Sequence, residues 1–279
     1  MIYMKVVALF FMLHYFVSYK ADASADTVSI FSKSMAKKIN CIVITPSNYN
    51  QNSNRFPAVY LLHGARGNFS NWITKVSDMQ ELADRNQLMI VCPDGAINSW
   101  YFDSPVDSTV RYETHIAREL PAYIDANYRS IPDRQHRAIS GLSMGGHGAM
   151  FIAFRHPETF GACGSMSGAL DISVIPKGYG VDKILGDVKT NTAYYKDWSV
   201  INLVEKHPAD SLAIIIDCGA QDLISFMTKA VHQKMLKLKI PHDYIERPGR
   251  HDWFYWSRSV RYQLLFFREY FSRAEHKNL

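Results

Sequence analysis

The chain has only four cysteines in 279 residues, and its charges form no run of like sign. Four cysteines could form at most two disulfides, too few to stabilise a chain of this length. We therefore expect buried free thiols, although a disulfide could form if the protein were exported to an oxidising compartment. The 31 basic and 26 acidic residues are spread along the sequence and leave a net charge of +5. No stretch could follow a phosphate backbone, so a nucleic-acid partner is not expected. The four cysteines, each in an apolar run, are Cys41, Cys92, Cys163 and Cys218.

No apolar run reaches the roughly 20 residues that a membrane-spanning helix needs. The run at residues 6–19 is shorter, follows Lys5 and precedes a small-residue segment at residues 21–25. This order is typical of a secretory signal peptide, so we expect residues 1–25 to be removed and no stable membrane insertion afterwards. The remaining residues, 26–279, would form one catalytic domain that is periplasmic or secreted.

The sequence also lacks internal repeats, low-complexity tracts and a visible linker. Apolar strand-like runs alternate with helical patterns, which predicts an α/β fold, a mainly parallel central sheet with helices on both faces. Pro121 should kink or divide the second helix. Residues 168–207 show no clear periodicity and could form a lid or a substrate loop. The predicted strands are residues 28–35, 38–45, 56–62, 88–92, 136–140, 162–166, 212–218 and 243–246, and the predicted helices are residues 72–86, 112–128, 144–156, 223–238 and 253–271.

Ser143 lies in a Gly-x-Ser-x-Gly pattern between a predicted strand and a predicted helix. A serine on so tight a turn has a strained backbone, and its neighbours two residues away must be small. Gly141 and Gly145 meet that demand. The start of the helix also favours negative charge that develops there. The pattern therefore predicts that Ser143 is a catalytic nucleophile.

A serine nucleophile needs a base and an acid, which in this arrangement follow it in the order acid, then histidine. His251 lies in a turn-forming segment directly after the last predicted strand, whereas the other histidines after Ser143 fall in helices or at their edges. Asp222 follows the carboxyl end of a strand, where doubly wound sheets keep their active sites. Asp217 lies inside that strand and is expected to be a buried supporting carboxylate. The sequence therefore favours His251 as base and Asp222 as acid.

The oxyanion of an acyl-transfer intermediate needs hydrogen-bond donors, usually two backbone amides. Met144 follows the nucleophile and would supply one. The loop after the strand at residues 56–62 would supply the other, from Ala65. His63 in that loop has no spaced partner that would make a metal site, so we expect it to be hydrogen-bonded in place. No metal or other cofactor is predicted.

Four segments carry a resemblance to a known family, and they are residues 60–64, residues 93–95 with 100–104, residues 141–146 and residues 248–253. Together they resemble the esterase D-like family of α/β-hydrolases, which includes feruloyl and acetyl xylan esterases, tributyrin esterases, S-formylglutathione hydrolases and, more distantly, mycolyltransferases. The resemblance covers nearly all of residues 27–272 and implies the same triad and the same oxyanion amides. It also implies that Trp100 and Tyr101 line the acyl or sugar pocket. Arg250 stands where the family often has glycine, which would alter only the rim of the site.

The resemblance and the signal sequence predict an exported serine esterase that acts on short acyl or feruloyl esters of carbohydrates. The alternatives are an acyltransferase on the same scaffold, a thioesterase of the S-formylglutathione type, and a binding module that has lost its chemistry. The many charged residues within residues 168–207 argue against the wide apolar surface of a lipase. The expected partners are a small-molecule ester or a polysaccharide ester.

Overall fold

The computed structural model describes residues 25–206 and 212–277. The predicted signal peptide, apart from its last residue, lies outside these ranges. The described chain contains a mixed sheet whose strands follow the predicted positions to within three residues. The strands are β1 (Ala25–Ser32), β2 (Lys37–Ile44), β3 (Ala58–Leu62), β4 (Met89–Pro93), β5 (Arg137–Gly141), β6 (Ala162–Met166), β7 (Ala213–Gly219) and β8 (Asp243–Arg247).

The strands form one sheet with the spatial order β1-β2-β4-β3-β5-β6-β7-β8. The strands β1 and β2 pair antiparallel, and β2 also runs antiparallel to β4. From β4 to β8 every neighbouring pair is parallel. The predicted α/β fold with a mainly parallel sheet is confirmed. The carboxyl ends of β3, β5, β7 and β8 therefore meet at one edge of the sheet, where the loops that follow them lie.

Helices cover both faces of this sheet, because successive strand residues point to opposite sides. Ile214 and Ile216 of β7 pack in one apolar cluster with helices α4, α5 and α9, whereas Ile215 packs in a second cluster with α2 and α10. The helices are α1 (Asn71–Lys75), α2 (Met79–Asn86), α3 (Tyr112–Thr114), α4 (Leu120–Asn127), α5 (Met144–Arg155), α6 (Val181–Leu185), α7 (Thr192–Asp197), α8 (Val200–Leu203), α9 (Ser225–Lys237) and α10 (Trp253–Lys277).

Two helical predictions need correction. The single helix predicted over residues 72–86 is two helices, because Val76 takes an extended conformation at the end of α1. The helix predicted over residues 112–128 continues past Pro121 and is not divided. A π-helical turn at His115–Glu119 joins α3 to α4 just before the proline. A proline ring clashes with the carbonyl four residues earlier, and the wider turn relieves that clash.

Residues 168–206 are not a structureless lid. They hold the short helices α6, α7 and α8, with 3₁₀ turns at Ile172–Val174 and Val204–Lys206. All four cysteines are free and buried, as predicted. Of the described helices, none has both the length and the hydropathy that crossing a bilayer requires.

Candidate active site

Ser143 lies on the tight turn between β5 and α5. Its backbone is held at φ 54° and ψ −116°, a strained conformation for a residue with a side chain. Its amide donates to the Met166 carbonyl at 3.0 Å, and its carbonyl accepts from the amides of His147 and Ala169. These bonds fix the turn between two strands and a helix. The serine side chain is thereby presented at the carboxyl edge of the sheet.

The two glycines beside this serine are required by close backbone packing. A Cβ atom on Gly141 would lie 2.5 Å from the carbonyl of Gly145, and one on Gly145 would lie 2.5 Å from the carbonyl oxygens of Leu62 and His63. Both distances are far below a van der Waals contact and involve backbone atoms that cannot turn away. The turn therefore needs glycine at both positions, as its sequence pattern predicts.

The structure brings Ser143, His251 and Asp222 together in one hydrogen-bonded chain. The distance from His251 Nε2 to Ser143 Oγ is 2.9 Å, and His251 Nδ1 lies 2.9 and 3.1 Å from the two carboxylate oxygens of Asp222. A carboxylate only accepts, so Nδ1 carries the proton and Nε2 is free to accept from the serine hydroxyl. This arrangement can take a proton from Ser143.

The carboxylate of Asp222 is buried but remains ionised. Burial alone would raise its pKa, but the hydrogen bond and charge of His251, with the amide of Ile224 and the hydroxyl of Ser167, hold the pKa below its ordinary value. The Ile224 amide donates to Asp222 Oδ1 at 2.9 Å. A negative carboxylate at this position fixes the tautomer of the imidazole and stabilises its charged form.

The neighbouring carboxylates have other partners. Asp217, fully buried on β7, accepts from Gln263 Nε2 at 3.1 Å and lies 3.9 Å from Arg247 Nη2. Burial raises the pKa of Asp217 to about 6, against the opposing effect of Gln263 and Arg247. Asp252 accepts from the amide of Tyr255 at the start of α10. Asp217 is thus the buried supporting carboxylate that its place in the strand predicts.

The loop after β3 places Ala65 beside the nucleophile. Among the described residues, neither the Ala65 amide nor the Met144 amide donates a hydrogen bond to an acceptor. Both residues line a cavity with Ser143 and His251. The first amides of a helix have no partner within it, which leaves that of Met144 free for an oxyanion.

His63 holds this loop in place, as its sequence context predicts. Its Nε2 accepts from the Gly95 amide at 2.8 Å, so Nδ1 carries the proton and donates to the Gly64 carbonyl at 2.8 Å. Burial lowers the pKa of His63, against the raising effect of the Gly64 carbonyl and the charge of Asp94. A neutral His63 therefore ties the oxyanion loop to the loop after β4.

An apolar cavity of about 310 Å³ opens beside Ser143. We call it the acyl pocket. Its mouth is apolar, since Leu223 and Phe226 are 88% and 55% exposed and Val174 is 51% exposed. The many charged residues within residues 168–207 do not make this mouth polar, because the segment contributes apolar side chains to the pocket. Those side chains are Ala169, Val174, Ile175, Pro176 and Tyr179.

Of the two aromatic residues predicted to contact substrate, only Trp100 reaches the acyl pocket. Trp100 is 1% exposed, lines the pocket and donates from Nε1 to the Tyr179 carbonyl at 2.9 Å. Tyr101 does not line it. Its ring is fully buried against Gly95 and Gly148, and its hydroxyl donates to the His63 carbonyl at 3.0 Å. The prediction that Tyr101 binds substrate is wrong, because the ring packs under the oxyanion loop.

A second cavity, of about 410 Å³, lies on the other side of Ser143 and His251. We call it the polar cleft. Besides Ser143 and His251, Ala65 and Tyr179 line both cavities and lie at the boundary between them. The residues that line only the polar cleft include Arg66, Asn71, Lys75 and Trp253.

Several residues around these cavities carry no motif and were not predicted as site residues. Leu223 follows Asp222 directly, and its position next to the acid was the only signal available in the sequence. Phe226 and Tyr179 lie in segments without any such signal. Within residues 25–206 and 212–277, no group of three or more His, Cys, Asp or Glu side chains could hold a metal ion.

Comparisons with known proteins agree with this architecture. The MPT51/MPB51 antigen of Mycobacterium tuberculosis is 39% identical over 115 residues, 40% of this chain and 38% of that protein. The acetyl esterase of Caldicellulosiruptor saccharolyticus is 24% identical over 252 residues, 84% of this chain and 94% of that enzyme. A ferulic acid esterase of known structure superposes with a TM-score of 0.77 and 31% identity, covering 89% of this chain and 98% of that one.

The alignment thus spans well under half of the antigen but nearly all of the other two proteins. The model of the family described as "Putative esterase" matches residues 32–267, most of the chain. The resemblance expected from the four segments is confirmed, and the protein belongs to the Putative esterase family of α/β-hydrolases.

Proposed function

We propose that the protein hydrolyses carboxylic esters through an acyl-enzyme on Ser143, with His251 as the base and Asp222 as the acid that orients it. The observation that carries this proposal is the unbroken hydrogen-bonded chain from the Ser143 hydroxyl through His251 to the Asp222 carboxylate. A chain of this geometry activates a serine hydroxyl for attack on a carbonyl. The acyl pocket beside it supplies a place for the acyl half of an ester.

The reaction has two halves. Ser143 Oγ attacks the ester carbonyl carbon while His251 Nε2 takes the hydroxyl proton, and the amides of Ala65 and Met144 bind the oxyanion. The bond to the alcohol oxygen then breaks, and His251 returns the proton to the departing alcohol. A water molecule attacks the acyl carbon in the second half, gives its proton to His251 and releases the acid. Ser143 recovers its proton from the same imidazole.

The proposed substrates are short acyl or feruloyl esters of carbohydrates. The apolar walls of the acyl pocket suit a short alkyl chain or a flat aromatic acid, because both gain from burial of apolar surface. The likeness to a ferulic acid esterase and to an acetyl esterase supports this choice. The polar cleft on the other side of Ser143 suits a hydroxyl-rich alcohol.

We propose further that the enzyme is exported. The support is the order of Lys5, the apolar run at residues 6–19 and the small residues that follow. Sequencing of the amino terminus of the protein recovered from its native host tests this proposal. We expect a mature chain that begins near residue 26, and an intact Met1 on the protein recovered from the host would contradict it.

A panel of esters tests the proposed activity. We expect the wild-type protein to hydrolyse 4-nitrophenyl acetate, 4-nitrophenyl butyrate and methyl ferulate with a higher kcat/KM than 4-nitrophenyl decanoate, since the proposed substrates are short acyl and feruloyl esters. Ser143→Ala should lose all four activities and keep its fold, because one hydroxyl at a turn contributes little packing. Hydrolysis that persists in Ser143→Ala, or a clear preference for the decanoate, would contradict the proposal.

A further inference from the structure

The polar cleft carries two positive charges that have no acidic partner. Arg66 and Lys75 line it, and no aspartate or glutamate is among the residues that form its walls. Neither side chain forms an ion pair with any residue in the described ranges. Arg247, which lies near the triad, is in contrast paired with Asp217. The cleft is therefore a concave surface of one sign beside the nucleophile.

The position of Arg66 is fixed by its backbone. It follows Ala65, the proposed oxyanion residue, and takes φ 63°, a left-handed conformation that is unfavourable for a residue with a side chain. Its amide donates to the Ile97 carbonyl at 2.7 Å, which holds the loop in that conformation. The guanidinium lies over the Tyr179 ring at 5.7 Å from the ring centre. A cation is thus held at the boundary between the acyl pocket and the polar cleft.

The other walls of the cleft suit a ring that carries hydroxyl groups. Trp253 is half-buried and packs edge-to-face against Trp72 at 5.3 Å between ring centres, which keeps its indole rigid. Asn71 offers an amide that can donate and accept, although its oxygen already accepts from the Asn68 amide. A flat aromatic face with polar groups and cations around it binds a sugar ring with an acidic substituent better than a neutral alkyl alcohol.

We infer that the polar cleft binds the alcohol half of the ester and that this half carries an anionic group, a carboxylate or a phosphate, which Arg66 and Lys75 recognise. This inference rests on the proposed function. An exposed cation that pairs with a substrate anion is worth about a two- to fivefold change in binding. Together, the two cations would make the enzyme prefer esters whose alcohol half is anionic over esters whose alcohol half is neutral.

Matched acetyl esters test the inference. The esters are 4-acetoxybenzoate, 4-acetoxyphenyl phosphate and the neutral 4-acetoxybenzamide, which share the acyl group and the ring. We expect kcat/KM for at least one anionic ester, divided by that for the amide, to exceed one in the wild-type protein and to fall about two- to fivefold in Arg66→Gln and in Lys75→Gln. It should also fall as salt is added, because salt screens exposed charges. The more favoured anion identifies the acidic group.

Lys33→Gln is the control, since Lys33 is exposed in the turn between β1 and β2 and its removal changes the net charge equally. Lys33→Gln should leave the ratio of kcat/KM for the anionic ester to kcat/KM for the amide unchanged. A ratio that does not change in Arg66→Gln and Lys75→Gln, while all three esters are hydrolysed, overturns the inference and leaves the proposed function intact.

Absence of hydrolysis of all three esters would instead contradict the proposed function. Binding then decides the inference: the products 4-hydroxybenzoate and 4-hydroxybenzamide are titrated into the wild-type protein and followed by tryptophan fluorescence. Tighter binding of the benzoate that is lost in the two variants supports the inference, and equal binding of the two products overturns it.

Discussion

At the scale of single residues, two carboxylates five positions apart have opposite environments. Asp222 is bonded to His251, and its pKa lies below the ordinary value, whereas burial raises the pKa of Asp217 to about 6. We expect Asp222→Asn to lower kcat by on the order of 10³ to 10⁴, because an amide in place of the carboxylate favours the wrong tautomer of His251. Ester hydrolysis by the purified variant measures this loss.

Asp217→Asn is the matched control, since it makes the same chemical change inside strand β7, five residues before Asp222. It should keep kcat within about tenfold of the wild-type value, because Asp217 has no contact with the imidazole. If the Asp217 variant lost more turnover than the Asp222 variant while both remained folded, Asp222 would not be the acid.

The residues of the hydrogen-bonded chain could be predicted from sequence because each stands at a position that the chemistry prescribes. Ser143 lies between two glycines after a strand, and Asp222 and His251 follow the ends of later strands. Tyr101 could not be placed, because its orientation depends on left-handed backbone at φ 60° and on Gly95 and the distant Gly148, whose lack of side chains makes room for its ring. Such packing between segments far apart in the sequence leaves no local pattern.

At the scale of elements, helix α5 packs so closely on β3 that it sets the distance from nucleophile to oxyanion loop. A methyl group on Gly145 would meet the carbonyl oxygens of Leu62 and His63 at 2.5 Å. We expect Gly145→Ala to lower the free energy of unfolding by about 1 to 3 kcal/mol and to lower kcat, because α5 must move away from the loop that carries Ala65. Urea unfolding and ester hydrolysis measure the two effects. An equally stable and active variant would show that this packing does not set the site.

Helix α9 contributes one side of the acyl pocket through Phe226, which is 55% exposed. We expect Phe226→Ala to lower kcat/KM for methyl ferulate, a loss of about 1 to 2 kcal/mol in transition-state binding. The kcat/KM for 4-nitrophenyl acetate should fall much less, because only the aromatic acid reaches this ring. Phe254→Ala is the control, since Phe254 is 74% exposed and lies outside both cavities. Equal losses on both esters would show that Phe226 does not contact the aromatic acid.

The strands could be predicted because apolar runs of strand length alternate with helical patterns along the whole chain. The break between α1 and α2 could not, since Val76 continues the apolar spacing of a helix and yet takes an extended conformation. The shape of the acyl pocket was missed for a similar reason. The charges of residues 168–206 dominate the composition of that segment, whereas its few apolar side chains form the wall that faces Ser143.

At the scale of the whole molecule, the buried carboxylate of Asp217 links stability to pH. Its pKa is about 6 in the folded protein and roughly 3.9 in the unfolded chain. Between these values the folded state keeps a proton that the unfolded state releases, so the free energy of unfolding falls as pH rises, by on the order of 2 to 3 kcal/mol for this group. Urea unfolding at pH 4.5 and at pH 7 measures this effect. From pH 4.5 to pH 7 the free energy of unfolding of the wild-type protein should fall relative to that of Asp217→Asn, which has no carboxylate to titrate at this position. Parallel pH dependence in the two proteins would contradict the raised pKa.

The molecule as a whole presents one nucleophile between two cavities of different chemistry. The acyl pocket is apolar, and the polar cleft carries Arg66 and Lys75. An ester that spans both cavities would place its carbonyl carbon at Ser143 and its carbonyl oxygen at the amides of Ala65 and Met144. The proposed activity therefore depends above all on whether an acyl group is transferred to Ser143.

Mass spectrometry of the acyl-enzyme tests that claim directly. The protein is mixed with 4-nitrophenyl acetate, quenched with acid within milliseconds to seconds, digested and sequenced. We predict one added acetyl group on the peptide that contains Ser143, its disappearance as hydrolysis proceeds, and no acetyl group in Ser143→Ala. Acetylation at another residue, or turnover by the wild-type protein with no acetyl group on Ser143 at any time, would contradict it.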